Sequence, residues 1–241
     1  MVVSKKFYIG YRDVDCNFKM KNSSILDLFQ EIAGIHANKC GEGSKSSNNA
    51  WVLTAYKINI IKRPTYGEDI DVITWGREIK GVTAVREFEL RNEVGELLVC
   101  ALSNWAHIDI IERKLVKATP ELVESYGLEP EHKNFEEMKI KKIETVENYS
   151  NEREFYVDLN WLDVIMHMNN VHYVEIAEMM LPEEIKVKNE YSSIEIMYKK
   201  EIKYKEKIKC LYAENEDEYI VTIKNEDLSE LHAIVKLKKY E

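Results

Sequence analysis

Ile25, Leu28, Phe29, Ile32 and His36 fall at i, i+3, i+4, i+7 and i+11, the spacing that lines one face of an α-helix. Ser24 followed by Asp27 supplies a start signal for it. Further on the period shortens to two. Ile58 and Ile60 flank Asn59, Ile70 and Val72 alternate with Asp69 and Asp71, and Phe88 and Leu90 alternate with Glu87 and Glu89. Such alternation predicts strands with one buried face. A turn at Asn92-Glu93-Val94-Gly95 leads into LLVCALSNWAHID, long enough for a central strand. Thr119, Pro120 and Gly127 mark the cap, first turn and end of a short helix. Residues 128–153 are polar and charged and predict a connector, partly strand-like around Ile140 and Ile143. Tyr173, Ile176, Ala177 and Met180 then form a second helical stripe, capped by Asn169 or Asn170 and stopped by Pro182.

The second stripe belongs to a repeat of the first pattern. At an offset of 148, Phe7-Tyr8-Ile9 recurs as Phe155-Tyr156-Val157, and Asp15 falls in register with Asp163. INIIKRPTYGEDI (58–70) lines up with IMYKKEIKYKEKI (196–208), which sets Arg63 opposite Glu201. NEVGELLVCAL (92–102) matches NEDLSELHAIV (225–235) after a one-residue slip. The matches keep their order in both halves. They predict two copies of one unit, each a strand, a helix and an antiparallel meander: an N-terminal unit over 1–127, a connector over 128–153 and a C-terminal unit over 154–241.

Composition narrows the class. Of 241 residues 45% are apolar, enough for a sizeable core, and 34 Lys and Arg stand against 43 Asp and Glu, a net charge of -9. That balance argues against a nucleic-acid partner. No apolar run approaches a membrane span and MVVSKKFYIGYRDVD has no leader-like apolar core, so a soluble cytoplasmic protein with no membrane partner is expected. Cys16, Cys40, Cys100 and Cys210 form no CxxC and read as reduced thiols.

The densest chemistry lies in Trp161-Leu-Asp-Val-Ile-Met-His-Met-Asn-Asn-Val-His-Tyr173, an acid, two histidines and two amides just ahead of a helix. First-turn N–H groups there lack helical acceptors and can stabilise an oxyanion. The competing reading has Asn169 and Asn170 capping the helix while Asp163 and His167 bond each other. His36 and His107 read as structural, and His167, His172 and Glu175 match no common zinc spacing. Trp51 follows a polar loop (41–50) placed to cover an entrance.

The run Asp163-Val164-Ile165-Met166-His167-Met168-Asn169-Asn170 resembles the D-x-N-x-H-x-N-N pattern of the acyl-[acyl carrier protein] thioesterases. Likeness extends to YRDVD, LFQEIAGIHA, INIIKRPTYGEDIDVITW and GELLVCALSNWAHID in the first half and to Tyr198-Lys199-Lys200-Glu201 in the second. The resemblance implies an α+β tandem double hotdog, in which each half wraps an antiparallel sheet around a helix and the sheets join edge to edge. It implies hydrolysis of a fatty acyl thioester on acyl carrier protein, releasing free fatty acid, with no cofactor and no metal. Asp163, His167 and Glu201 become the catalytic set, with Asn169, Asn170 and Trp51 binding substrate.

Two positions depart from the pattern: its Asn is Ile165, and the Cys that plant members carry after the Glu is Ile202. Water attack is therefore expected, with a partly buried Glu201 as base, His167 held by Asp163, and the amides near Met168 and Asn169 receiving the oxyanion. The alternatives are an acyl-coenzyme A thioesterase and a non-catalytic acyl-binding or regulatory protein. Lys199, Lys200, Lys203, Lys205, Lys207 and Lys209 offer a basic docking surface for an acidic carrier or, equally, an ordinary solvated strand edge protected by lysines. Whether two chains associate as a homodimer stays open, as does acyl chain length, which depends on which of Leu26, Phe29, Ile32, Ile58 and Trp75 point into a pocket.

Overall fold

The computed structural model describes residues 1–42, 48–188 and 191–239. The first half runs β1 (Val3–Tyr8), α1 (Asn22–Lys39), β2 (Asn49–Ile60), β3 (Asp69–Lys80), β4 (Thr83–Asn92), β5 (Leu97–Asp109), β6 (Lys114–Leu115) and α2 (Pro120–Ser125). The second runs β7 (Asn151–Tyr156), α3 (Asn170–Met180), α4 (Glu183–Lys188), β8 (Tyr191–Tyr198), β9 (Lys207–Glu214), β10 (Glu218–Asn225) and β11 (Leu231–Lys239). The strands form one antiparallel sheet in the order β1-β3-β4-β5-β2-β8-β11-β10-β9-β7, with β6 added to β5. The order is a mirror about the β2–β8 seam, where Ala55 faces Met197 and Asn59 faces Ser193. This is the α+β tandem double hotdog, with α1 and α3 packed side by side in the curve of the sheet.

The amphipathic patterns explain the packing. Ile25, Leu26, Phe29 and Ile32 of α1 are fully buried with Ile58, Ile70, Val72, Phe88 and Leu90 from the strands. Tyr173, Ile176, Ala177 and Met180 of α3 do the same against Ile194, Ile196, Ile208 and Val221. Each fully buried Leu, Ile or Phe contributes about 1.5–3 kcal/mol, so the two stripes hold the helices in place. The start of α1 differs from expectation: Ser24 is buried inside the helix, and Lys21 occupies the cap position without a side-chain bond.

The repeat is visible in the hydrogen bonds. In the first half Asp15 N–H donates to the Lys19 carbonyl, Met20 N–H to that of Pro64 and Ile9 N–H to that of Glu68, at 2.8, 2.8 and 2.9 Å. Their counterparts are Asp163 to His167, Met168 to Ile202 and Val157 to Glu206, at 2.8, 2.8 and 3.0 Å. Phe18 and Met166 share a left-handed backbone with φ of 59° and 64°.

The stretch between α2 and β7 departs from the expectation. Residues around Ile140 and Ile143 form no strand, and β7 already begins at Asn151. Side chains satisfy this segment instead of a ladder: Ile140 N–H donates to Asn104 Oδ1 at 3.0 Å and Asn134 N–H to Glu87 Oε2 at 2.7 Å. Ile140 and Phe135 pack on Ala55, Val85 and Leu102, and Ile143 packs on Met197, Ile220 and Ile234, so the segment covers the outer face of the sheet. At its start Leu128 crosses Gly76 so closely that a Cβ there would stand 2.9 Å from Leu128 Cδ2.

One polar link ties the central helices together. Asn22 Nδ2 donates to Glu178 Oε1 at 2.6 Å, and Arg63 Nη1 donates to Asn22 Oδ1 at 2.8 Å. Burial pushes the Glu178 carboxyl up to about 7, against the opposing pull of the Asn22 bond and the Arg63 charge. The folded state thus holds this proton more tightly than the unfolded chain. Stability from this group is present below about 4.5 and is lost as pH rises toward 7. Glu178→Gln keeps an oxygen for Asn22 and removes the charge. Its melting temperature relative to the parent is expected to rise between pH 5 and pH 8, and a pH-independent difference in thermal unfolding would refute the assignment.

Candidate active site

The turn from Asp163 to His167 is built by its first side chain. Asp163 Oδ1 accepts from the N–H groups of Ile165 and His167 at 2.9 and 3.2 Å, while Met166 N–H donates to the Asp163 carbonyl at 3.1 Å. A short acidic side chain bonding to nearby amides suits this geometry. His167 bridges Lys203, and together with the Met168–Ile202 bond this fastens the turn to the segment carrying Glu201. Asp163, His167 and Glu201 thereby reach one end of α3.

Three details differ from the sequence-based expectation. Asp163 bonds the backbone amide of His167, and among the described residues no bond joins its carboxylate to the imidazole. The amides of Met168 and Asn169 are engaged by the carbonyls of Ile202 and Trp161, each at 2.8 Å, so neither is available to an oxyanion. Glu201, expected partly buried, is exposed, with 39% of its side chain open to solvent, and Arg113 Nη1 lies 3.2 Å from its Oε1. That arginine, brought in by the β5–β6 turn, carries no sequence signal tying it to Glu201.

Asn169 caps α3, its Oδ1 accepting from Val171 N–H at 3.2 Å. Asn170 opens the helix. Its carbonyl accepts from Tyr198 Oη at 3.2 Å, and its N–H has no partner among the described residues. Tyr173, expected only as part of the stripe, stands near the acids: burial and then the charges of Glu201 and Asp163 push its phenol well up, keeping it neutral.

A cavity of about 650 Å³ opens beside this turn. Gly34, Val164, Ile165, Ile110 and Trp51 line its more exposed part, and Ala33, Val85, Arg86 and Tyr126 its buried part. Trp51 Nε1 donates to Glu42 Oε2 at 2.7 Å, and its ring lies 4.6 Å from that of His107. The loop expected over the entrance includes residues 43–47, which lie outside the described residues. Leu26, Phe29, Ile32, Ile58 and Trp75 are core residues and do not line the cavity; α1 turns its small-residue face, Ala33, Gly34 and Ala37, toward it.

Other candidates resolve simply. His172 Nδ1 lies 2.8 Å from Glu175 Oε2, and among the described residues no three His, Cys, Asp or Glu converge as a metal site. Burial pushes the Cys210 thiol up to about 12, far from a thiolate. Lys207 is held by Glu154 and Glu226 at 2.9 and 3.0 Å, and Lys209 by Glu152 at 3.2 Å. Lys200 pairs with Glu230. The basic surface thus contracts to Lys199, Lys203 and Lys205, all exposed.

The mirror-ordered sheet and the Asp163 turn define a family. Residues 1–126 match the acyl-ACP thioesterase N-terminal domain and residues 144–238 its C-terminal domain, and the chain belongs to that family. It is 26% identical over 220 residues to oleoyl-acyl carrier protein thioesterase 1 of Arabidopsis thaliana, covering 82% of this chain and 59% of that one. Against palmitoyl-acyl carrier protein thioesterase of Gossypium hirsutum it is 26% identical over 218 residues, covering 83% and 52%. The chain therefore spans between half and three fifths of the length of these relatives. In fold it superposes on an acyl-ACP thioesterase from Bacteroides thetaiotaomicron with a TM-score of 0.87 at 21% identity, over 99% of this chain and 98% of the other. For the 12:0-ACP thioesterase from Umbellularia californica the TM-score is 0.84 at 19% identity, over 99% and 97%. No helix among the described residues is long and apolar enough to cross a membrane.

Asp15 and Asp163 hold equivalent turns, and this separates structure from chemistry. Asp15→Ala and Asp163→Ala should each cost about 1 kcal/mol in chemical denaturation, the usual loss when a side chain bonding terminal amides is removed. Only Asp163→Ala should also depress any activity of the site. Loss of activity from both, at equal residual stability, would contradict this division.

Proposed function

We propose that this chain hydrolyses fatty acyl thioesters on acyl carrier protein, releasing the free acid by water attack. What supports the reading is the position of Val164 and Ile165, which belong both to the Asp163 turn and to the wall of the cavity. An acyl chain entering there brings its thioester to the start of α3. Glu201 takes a proton from water as the oxygen adds to the carbonyl carbon, and the Asn170 N–H at the positive end of α3 receives the oxyanion. His167 orients the water or protonates the sulfur as the C–S bond breaks, giving thiol and carboxylic acid. Asp163 acts through the backbone, fixing the turn that presents His167. Asn169 shapes the helix start, and Trp51 packs on the chain near the mouth.

The same reading divides the protein into an N-terminal hotdog unit over 1–127, a connector ending ahead of β7, and a C-terminal unit. It also places the chain in the cytoplasm. Acyl-coenzyme A remains a rival substrate, and a non-catalytic acyl binder is favoured by one observation, the apolar Ile165 at the wall beside a Glu201 engaged by Arg113.

Thiol release from acyl carrier protein and coenzyme A thioesters by the purified protein tests all three readings, and no turnover of either removes the hydrolase. With turnover present, Glu201→Gln should lower kcat on the order of a hundredfold or more with the fold intact. Ile165→Asn should raise kcat by supplying a side-chain donor. A fully active Glu201→Gln variant would transfer the base role to His167.

Docking is tested separately. Replacing Lys199, Lys203 and Lys205 with Ser should raise KM for acyl carrier protein at low salt and leave KM unchanged at high salt, because an exposed charge acts over roughly 10 Å at 0.1 M ionic strength. An unchanged KM at low salt would remove these lysines from docking.

A further inference from the structure

The deep part of the cavity is not wholly apolar. Arg86, on β4, lines it while only 8% exposed. A guanidinium carries five N–H donors in a fixed fork. The two hydrogen bonds that Arg86 makes among the described residues both leave from Nη1, to His36 Nδ1 and Thr74 Oγ1, each at 3.0 Å. Burial and the Arg86 charge hold His36 down to about 3, so its imidazole is neutral and Nδ1 accepts. Nε and Nη2 have no acceptor among the described residues. No carboxylate there forms an ion pair with Arg86; its charge rests on the Tyr126 and Phe88 rings at 5.7 and 6.0 Å.

The nearby acid is already committed. Glu42 Oε2 accepts from Tyr126 Oη at 2.5 Å and from Trp51 Nε1 at 2.7 Å, and His107 Nε2 lies 3.5 Å from Oε1. Arg86 and Glu42 therefore balance in charge while Arg86 retains unused donors. A saturated hydrocarbon tail pressed against them would leave N–H groups both dry and unpaired, the situation that makes a polar site reject a ligand lacking the matching atom. A carboxylate would add an uncompensated negative charge beside Glu42. A neutral oxygen satisfies the donors without that excess.

We propose that this cavity selects acyl chains carrying a hydroxyl or keto oxygen remote from the thioester, with Arg86 as the donor that recognises it. The inference rests on the cavity being the acyl pocket. Its cause is local: Arg86 stands at the strand position facing Ser103 on β5 and Gly76 on β3, and lines the cavity together with Gly76.

The test uses C16 acyl carrier protein thioesters, unsubstituted or bearing one hydroxyl or keto group at successive carbons from 3 to 15, plus one with a terminal carboxylate. The expected result is a stretch of inner positions where kcat/KM exceeds that of the plain chain by about tenfold or more, the scale of a hydrogen bond to a charged donor. In Arg86→Met that ratio should fall to about one. If Arg86→Met does not fold, Arg86→Lys, which keeps the charge and loses the fork, should lower the ratio. No positional preference, a preference surviving in the variant, or a preference for the terminal carboxylate would each overturn the proposal. If no thioester is turned over, the hydrolase reading fails by itself, and binding decides this one. Free hydroxy acids should then raise the melting temperature of the parent more than hexadecanoic acid does, and of Arg86→Met no more than it does; equal shifts in the parent would overturn the inference.

Discussion

Five backbone pairs between β2 and β8, from Ala55–Met197 to Asn59–Ser193, make two half-sheets into one. Without that seam each half would present an open edge, a row of unpaired donors and acceptors exposed to any other strand. With it, α1 and α3 lie against each other under a continuous sheet, and residues from one half reach the other's cavity. Val164 and Ile165 of the second half wall a space otherwise bounded by α1 and strands of the first. The Asn22–Glu178 bond crosses the same boundary from helix to helix. Neither half encloses the cavity by itself.

The segment between α2 and β7 completes this arrangement from outside. A sheet curved around helices on one face leaves its other face to water unless something covers it. Phe135, Ile140 and Ile143 do so in an irregular path, with Asn104 and Glu87 accepting from its amides where a neighbouring strand would have done. The buried Arg77–Glu87 pair at 2.7 Å adds to this anchoring, since Arg77 also donates to the Phe135 carbonyl.

What the sequence made legible was periodic. The stripe of Ile25, Phe29 and Ile32, the alternation at Ile58, Ile70 and Phe88, and the 148-residue offset between Asp15 and Asp163 all express backbone geometry, and the structure repeats them. What it hid depends on side chains meeting across long separations. Arg113 beside Glu201, and Arg86, Glu42 and Tyr126 around one cavity, come from a turn, a strand, a helix end and a helix cap with no common spacing. Ile140 and Ile143 pointed to a partly strand-like stretch because periodicity reads only which residues seek burial. It does not say whether ladder or side-chain partners satisfy the backbone. The cavity face of α1 did leave a trace, the small residues Ala33, Gly34 and Ala37, beside the bulky stripe that packs in the core.

The twin turns at Asp15 and Asp163 show how a duplicated protein can specialise without refolding. Each is held by one aspartate oxygen and a handful of amides and carbonyls. The bonds that both turns share come from the aspartate and the backbone, so the side chains at 19 and 167, and at 63 and 201, differ between two turns of the same shape. One half presents Lys19 and Arg63 where the other presents His167 and Glu201, and Arg63 has been drawn into bonds with Met20 and Asn22. Matching positions of a nearly symmetric body thereby carry different chemistry, two cations in one copy and an imidazole with a carboxylate in the other, on a frame that remains the same in both copies.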